Sequence, residues 1–146
     1  VVITPLGVEG LPLLRFRTGD IAWLRTDPCP CGRTTPRLGP ILGRRQQLLK
    51  IRGASVYPAA ITEALRAIPA ILDLCIVADR DPSLADRVTL HVHVAEETPA
   101  LHAAIASRLR AVLRVAPEVR CVPRAALDAL QTSTASRKPQ RFIDRR

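Results

Sequence analysis

The chain has 146 residues, 47% hydrophobic and 24% charged, with 22 lysines and arginines against 13 acidic residues and a formal charge of +9. That profile suits one globular domain with enough apolar side chains for one core, and leaves no length for a second complete domain. Two classes fall away and a third is disfavoured: no uncharged apolar run reaches the roughly 18 residues that cross a bilayer, the 4 cysteines lack the density of a secreted disulfide scaffold, and the aromatics Phe16, Trp23, Tyr57 and Phe142, set among arginines spread over the whole length, speak against a stacking platform for nucleic acid.

In chain order, residues 1–4 and 11–16 are short apolar or alternating runs around a glycine turn, which predicts a hairpin, and residues 21–24 add a third short strand. Residues 25–40 are rich in proline, glycine and cysteine and read as irregular. Residues 48–51 form a strand that turns at Arg52-Gly53. Pro58 opens a helix whose Ile61, Leu65 and Ile68 repeat at helical spacing up to Pro69. A near-continuous apolar strand at 71–78, a polar turn at 79–86 and an alternating strand at 87–95 follow. Pro99 opens a second helix with Leu101, Ile105, Leu109 and Leu113 on one stripe. Residues 118–122 are a last strand and 125–130 a helical turn. The tail from Gln131 is polar and basic, with no core of its own. Strand, helix, strand, strand, helix, strand is the order of a ferredoxin-like α+β sandwich, here preceded by a hairpin and hinge segment. There is no methionine, and the opening VVITPL reads as an interior strand, so the expectation is a piece of a longer cytoplasmic polypeptide.

Two stretches carry the chemistry. Leu14 to Asp20 reads LRFRTGD, and Gly43 to Ile61 reads GRRQQLLKIRGASVYPAAI. With Lys138 in the closing SRKPQRFIDRR, these resemble the hinge region and C-terminal domain of the adenylate-forming acyl-CoA ligases, most closely the phenylacetate-CoA ligase family. The spacing GR-x(5)-K-x-x-G-x-x-V-x-P-x-x-I is a fairly specific signal, and the likeness covers essentially the whole chain. It implies that residues 1–44 end a large domain and approach the hinge, and that residues 45–146 form a small lid that swivels over it. The reaction implied is acid plus ATP to acyl-adenylate and pyrophosphate, then transfer to the thiol of coenzyme A, with Mg2+ accompanying ATP. The carboxylic acid pocket and phosphate loop belong to the large domain, so the chain alone should be inactive.

By the same resemblance, Asp20 accepts hydrogen bonds from both ribose hydroxyls of the adenylate, since an ionised carboxylate offers two acceptors to two vicinal donors. Read alone, it is a turn aspartate after Gly19. Arg44 matches the arginine that contacts the ribose and phosphate side, where a planar, permanently charged fork is suited. Gln46 and Gln47 stand where the family has two adjacent aspartates. Lys50 and Gly53 match the turn lining the pantetheine tunnel, although a glycine after a strand is also commonplace. Lys138 matches the lysine that reaches the acyl carboxylate and the α-phosphate, with Arg141 and Asp144 in place and Arg137 where the family has glycine. The plain alternative is a solvated cation in a basic tail.

Cys29 and Cys31, in CPCGR, cannot by themselves close a tetrahedral zinc site, which needs four ligands, and the resemblance implies a half-site completed by the large domain. Free surface thiols are the alternative. His91 and His93 share one face of their strand and can bind a metal or merely line a polar sheet face. Two rival readings remain for the chain as a whole: a stand-alone ferredoxin-like ligand-binding or regulatory module, self-associating as a homodimer through sheet edges, and an RNA-binding domain of the same strand order.

Overall fold

The structure, a computed structural model, describes residues 1–81, 86–132 and 138–146. They divide into two units, Val1–Gln47 and Leu48–Arg146, so the division falls directly after the Gln46-Gln47 pair.

In the first unit β1 (Val2–Ile3) pairs antiparallel with β2 (Phe16–Arg17), and β3 (Asp20–Arg25) pairs antiparallel with β4 (Arg37–Arg44). The second strand of the opening hairpin begins only at the last residue of the run read at 11–16. β4 corrects the reading of 25–40 as wholly irregular. Its proline and glycine are tolerated because the ladder is broken there: between the pairs Ala22–Ile41 and Leu24–Leu38, Trp23 alone faces Gly39 and Pro40. Proline donates nothing to a ladder and is at home in such a bulge. Gly39 is needed for a second reason, because a Cβ there would meet the Trp23 indole at 2.7 Å. The remaining loop is pinned by Asp27, which pairs with Arg25 at 3.1 Å and with Arg37 at 2.7 Å.

The second unit opens with a hairpin of β5 (Leu49–Ile51) and β6 (Ala54–Val56), whose turn at Arg52-Gly53 puts Gly53 at φ +84°. β6 is too short to register as a strand in sequence. Helix α1 (Pro58–Arg66) starts on its proline, as expected, and ends two residues before Ile68. Then come β7 (Ile71–Arg80), β8 (Asp86–Val94), α2 (Pro99–Leu113), β9 (Glu118–Cys121), α3 (Arg124–Gln131) and β10 (Phe142–Arg145). Arg80 and Asp86 are still paired, so β7 and β8 run well into the stretch read as a polar turn; residues 82–85 of that stretch lie outside those described.

The strands β10-β7-β8-β9 form one mixed sheet, with β7 and β8 antiparallel and each flanked by a parallel neighbour. The α+β, ferredoxin-like class stands with one exchange of strand: β5 pairs with β6 alone, and the fourth place in the sheet is taken by β10 from the tail. The tail therefore does have a share in the core. Phe142 packs on the main cluster and Ile143 on the cluster behind the sheet, as alternation across a strand requires.

One sheet face presents Leu74, Ile76, Ala78, Val88, Leu90 and Val92 to Ile61 and Leu65 of α1 and to Leu101, Ile105 and Leu109 of α2. The stripe read for α2 is the buried one. The opposite face sets Cys75 and Val77 against Leu127 of α3.

Candidate functional site

Asp20 is the first residue of β3 and is held by the turn before it. Gly19 sits at φ +78°, its carbonyl accepts the Arg45 N–H at 2.9 Å, and the Thr18 hydroxyl accepts the Asp20 N–H at 3.1 Å. Register then places Arg44 directly opposite, with Nε 3.5 Å from Asp20 Oδ1. Two residues 24 positions apart in sequence thus form one acid–base pair, the carboxylate half-buried and the guanidinium exposed. The arrangement offers acceptor oxygens and a planar cationic fork side by side, suited to a ligand carrying both hydroxyls and phosphate.

Lys50 points outward from β5 between the buried Leu49 and Ile51. Its backbone N–H donates to Asp86 Oδ2, and that oxygen also accepts from Arg146 Nη1 at 3.0 Å. The same Nη1 donates to the Leu48 carbonyl at 3.0 Å, while Arg146 Nη2 bonds Asp144 at 2.7 Å. The hairpin bearing Lys50 and Gly53 is therefore fastened to β8 and to the end of β10 by a pair largely removed from solvent, Asp86 and Arg146. Arg146 also holds the Asp144 carboxyl below its ordinary pKa. Sequence spacing gave no signal for this clamp, because its members come together only through the sheet.

Lys138 is exposed. Residues 133–137, including the Arg137 read as a glycine replacement, lie outside those described. On either side the chain is anchored: the Gln140 N–H donates to the Gln131 carbonyl at 2.9 Å, and Gln131, itself buried, donates to Asp73 and to the Leu74 carbonyl, both at 3.2 Å. Arg141 lies against the same Asp73 at 3.3 Å, which gives it a place in the fold independent of any ligand.

Cys29 and Cys31 bring their sulfurs to 3.0 Å, and this contact, with the Arg33 N–H, lowers the Cys31 pKa. Cys75 is its opposite: burial, helped by the Asp73 carboxylate, pushes that thiol up to about 11. At pH 8 only about one Cys75 in a thousand is then thiolate, so iodoacetamide followed by peptide mass mapping should label Cys31 first and Cys75 only on unfolding. Comparable rates at the two positions would mean that the sheet opens at β7. The two strand histidines do share a face but do not converge on a metal position among the described residues. His93 Nδ1 lies 3.2 Å from the Val122 carbonyl, and burial, with Arg120 and Arg145 adding to it, lowers the His91 pKa. The metal-capable group among the described residues is a different one, Glu97, His102 and Cys121.

Residues 53–146 match the family model described as the AMP-binding enzyme C-terminal domain. The chain belongs to this family. It is 43% identical over 96 residues to a phenylacetate-coenzyme A ligase of Thermus thermophilus, covering 66% of this chain and 22% of that protein. To the phenylacetate-coenzyme A ligase of Pseudomonas putida it is 32% identical over 97 residues, covering 66% of this chain and 21% of the relative. The chain thus spans about a fifth of the length of these relatives. Among solved structures it is similar to 2-hydroxyisobutyryl-CoA ligase in the postadenylation state in complex with R3-HIB-AMP, with 32% identity and a TM-score of 0.70 over 92% of this chain and 29% of that one. The anthranilate CoA ligase AuaEII shares the fold, at 20% identity and a TM-score of 0.57 over 85% of this chain and 22% of that one.

The AMP-binding C-terminal match takes in Gly53 and Lys138. Asp20, Arg44, Lys50 and the Cys29-Cys31 pair precede it. Among the described residues of this AMP-binding C-terminal domain, no helix is long and apolar enough to cross a membrane.

Proposed function

We propose that this chain is the C-terminal part of an AMP-forming aryl- or acyl-CoA ligase that works in the cytoplasm on a small carboxylic acid. Residues 45–146 are its lid domain, and a large N-terminal domain supplies the acid pocket and phosphate loop. The observation that supports this most directly is the Asp20–Arg44 pair, 3.5 Å apart at the approach to the hinge, in a chain of the AMP-binding C-terminal family. In the first half-reaction the substrate carboxylate attacks the α-phosphorus of ATP and the bond to pyrophosphate breaks. In the second, the coenzyme A sulfur attacks the acyl carbon and AMP leaves. Asp20 receives the ribose hydroxyls, and Arg44 lies toward the ribose and phosphate. Lys138 offsets charge on the acyl carboxylate and α-phosphate, while Lys50 and the Gly53 turn line the pantetheine path. Mg2+ would accompany the ATP phosphates and offset their charge.

The exposed side chains Leu6, Leu11, Leu14, Leu24 and Ile41 of the first unit fit a surface that the large domain covers. Cys29 and Cys31 fit two corners of a zinc site whose remaining ligands come from that domain; thiolates on one tetrahedral zinc stand roughly 3.7 Å apart, and their 3.0 Å contact lies on the surface, where it can widen.

The test is to assay the complete source polypeptide for exchange of pyrophosphate into ATP that depends on an added aryl or alkyl carboxylic acid, and for formation of the coenzyme A thioester. Both activities are expected there, and neither in the 146-residue chain alone. A complete polypeptide with no acid-dependent exchange across such a panel overturns the ligase reading, and catalysis by the isolated chain overturns its assignment as a lid.

A further inference from the structure

Glu97, His102 and Cys121 come from three different places in the second unit. Glu97 lies just before α2, His102 is in the first turn of that helix, and Cys121 ends β9. The Thr98 cap and the parallel pairing of Cys121 with Val92 fix where these positions stand. One ligand atom from each lies within 4.8 Å of the other two. Two contacts converge on one imidazole nitrogen: His102 Nε2 is 2.8 Å from Glu97 Oε1 and 3.5 Å from Cys121 Sγ. A ring nitrogen has one hydrogen or one lone pair in its plane and cannot serve both neighbours at once. The Cys121 thiol also leans on Glu97, and burial, with that carboxylate adding to it, raises the thiol pKa. A single cation at their common focus can serve all three.

We propose that Glu97, His102 and Cys121 form a site for one Zn2+ ion, unrelated to nucleotide chemistry. Imidazole and thiolate are the preferred ligands of this borderline-soft ion, and a carboxylate with a thiolate balances its charge. With bonds of about 2.3 Å to sulfur and about 2.0–2.1 Å to nitrogen and oxygen, tetrahedral geometry sets nitrogen and sulfur roughly 3.6 Å apart and nitrogen and oxygen roughly 3.3 Å apart. The nitrogen–sulfur distance of 3.5 Å already suits this. Between His102 and Glu97 the distance must open by about half an ångström, and the Glu97 side chain is 59% exposed. On binding, Cys121 gives its thiol proton to solvent and the zinc–sulfur bond forms with no change of oxidation state; water takes the fourth position. The ion ties the entry of α2 to the end of the edge strand β9, so its effect is structural.

The test uses the 146-residue chain with Cys29→Ser and Cys31→Ser, so that the other exposed thiols do not compete. Titration of the metal-free protein with Co2+ should give one equivalent of a tetrahedral species with a thiolate-to-cobalt charge-transfer band, bleached by Zn2+. Cys121→Ser should abolish that band. Glu97→Gln, which leaves the core untouched and the fold intact, should weaken binding by about tenfold or more, at least the loss seen when a metal ligand loses its outer-shell partner. Zn2+ should also raise the melting temperature of the parent and not of the Cys121→Ser form. Cobalt spectra without a charge-transfer band, or a band that survives Cys121→Ser, overturn the site.

Discussion

If the proposed ligase reading holds, replacing Lys138 by alanine in the complete polypeptide is expected to slow acyl-adenylate formation by about 3 kcal/mol, on the order of a hundredfold or more, the size of one preorganised electrostatic group. Thioester formation from supplied acyl-adenylate should change far less, because no charge builds between carboxylate and α-phosphate in that step. The asymmetry is what identifies the role. A solvent-facing lysine that served only the fold would, on removal, affect both half-reactions alike, and surface substitutions of that kind usually move stability by under about 0.5 kcal/mol. Lys138→Arg should restore only part of the rate, since a broad guanidinium does not replace a compact ammonium. Single-turnover measurement of each half-reaction decides the matter. Equal losses in both would remove Lys138 from the chemistry.

The second large effect concerns the fold that presents these residues. Leu90 is fully buried on β8, the strand flanked by β7 and β9, and it faces the helices. Leu90→Ala should cost about 3 to 5 kcal/mol, the sum of lost transfer energy and the cavity left in a sheet that cannot collapse around it. A domain of this size has only about 5 to 15 kcal/mol to lose, so the urea midpoint should fall steeply. Leu72 on β7 is the control, because it is 59% exposed and its truncation should leave the midpoint almost unchanged. Equal shifts for the two would mean that the sheet does not form the core described.

Much of the second unit was legible because its elements are long and periodic. Prolines mark the starts of α1 and α2, the α2 stripe is the buried face, and the runs at 71–78 and 87–95 are the two longest strands of the sheet. What escaped was short or held by distant partners. β10 spans Phe142–Arg145 and divides its apolar residues between two faces, so it has no apolar run. β4 hides a proline in a bulge that only its pairing with Trp23 explains. The candidate site divides the same way. Gly19-Asp20 and Arg44 were legible as motif residues, and their pairing comes from β3–β4 register. The Asp86–Arg146 clamp and the Glu97–His102–Cys121 cluster could not be read, because strand order, which no local pattern encodes, brings them together.

The strand at the end of the chain also alters how Lys138 is delivered. A lysine on a loose tail would sample a wide volume, and each productive encounter would require the chain ends to find one another. Here Gln131 and Gln140, on either side of Lys138, are already joined by a backbone hydrogen bond, and the chain after Gln140 continues into the sheet. Bringing together two chain positions nine apart costs about 2 kcal/mol by the (3/2)RT ln n relation, and folding has met that cost once for all turnovers. In the role proposed for it, the ammonium therefore acts at a high effective concentration set by a short tether, and its arrival is timed by the movement of the whole lid rather than by diffusion of a tail.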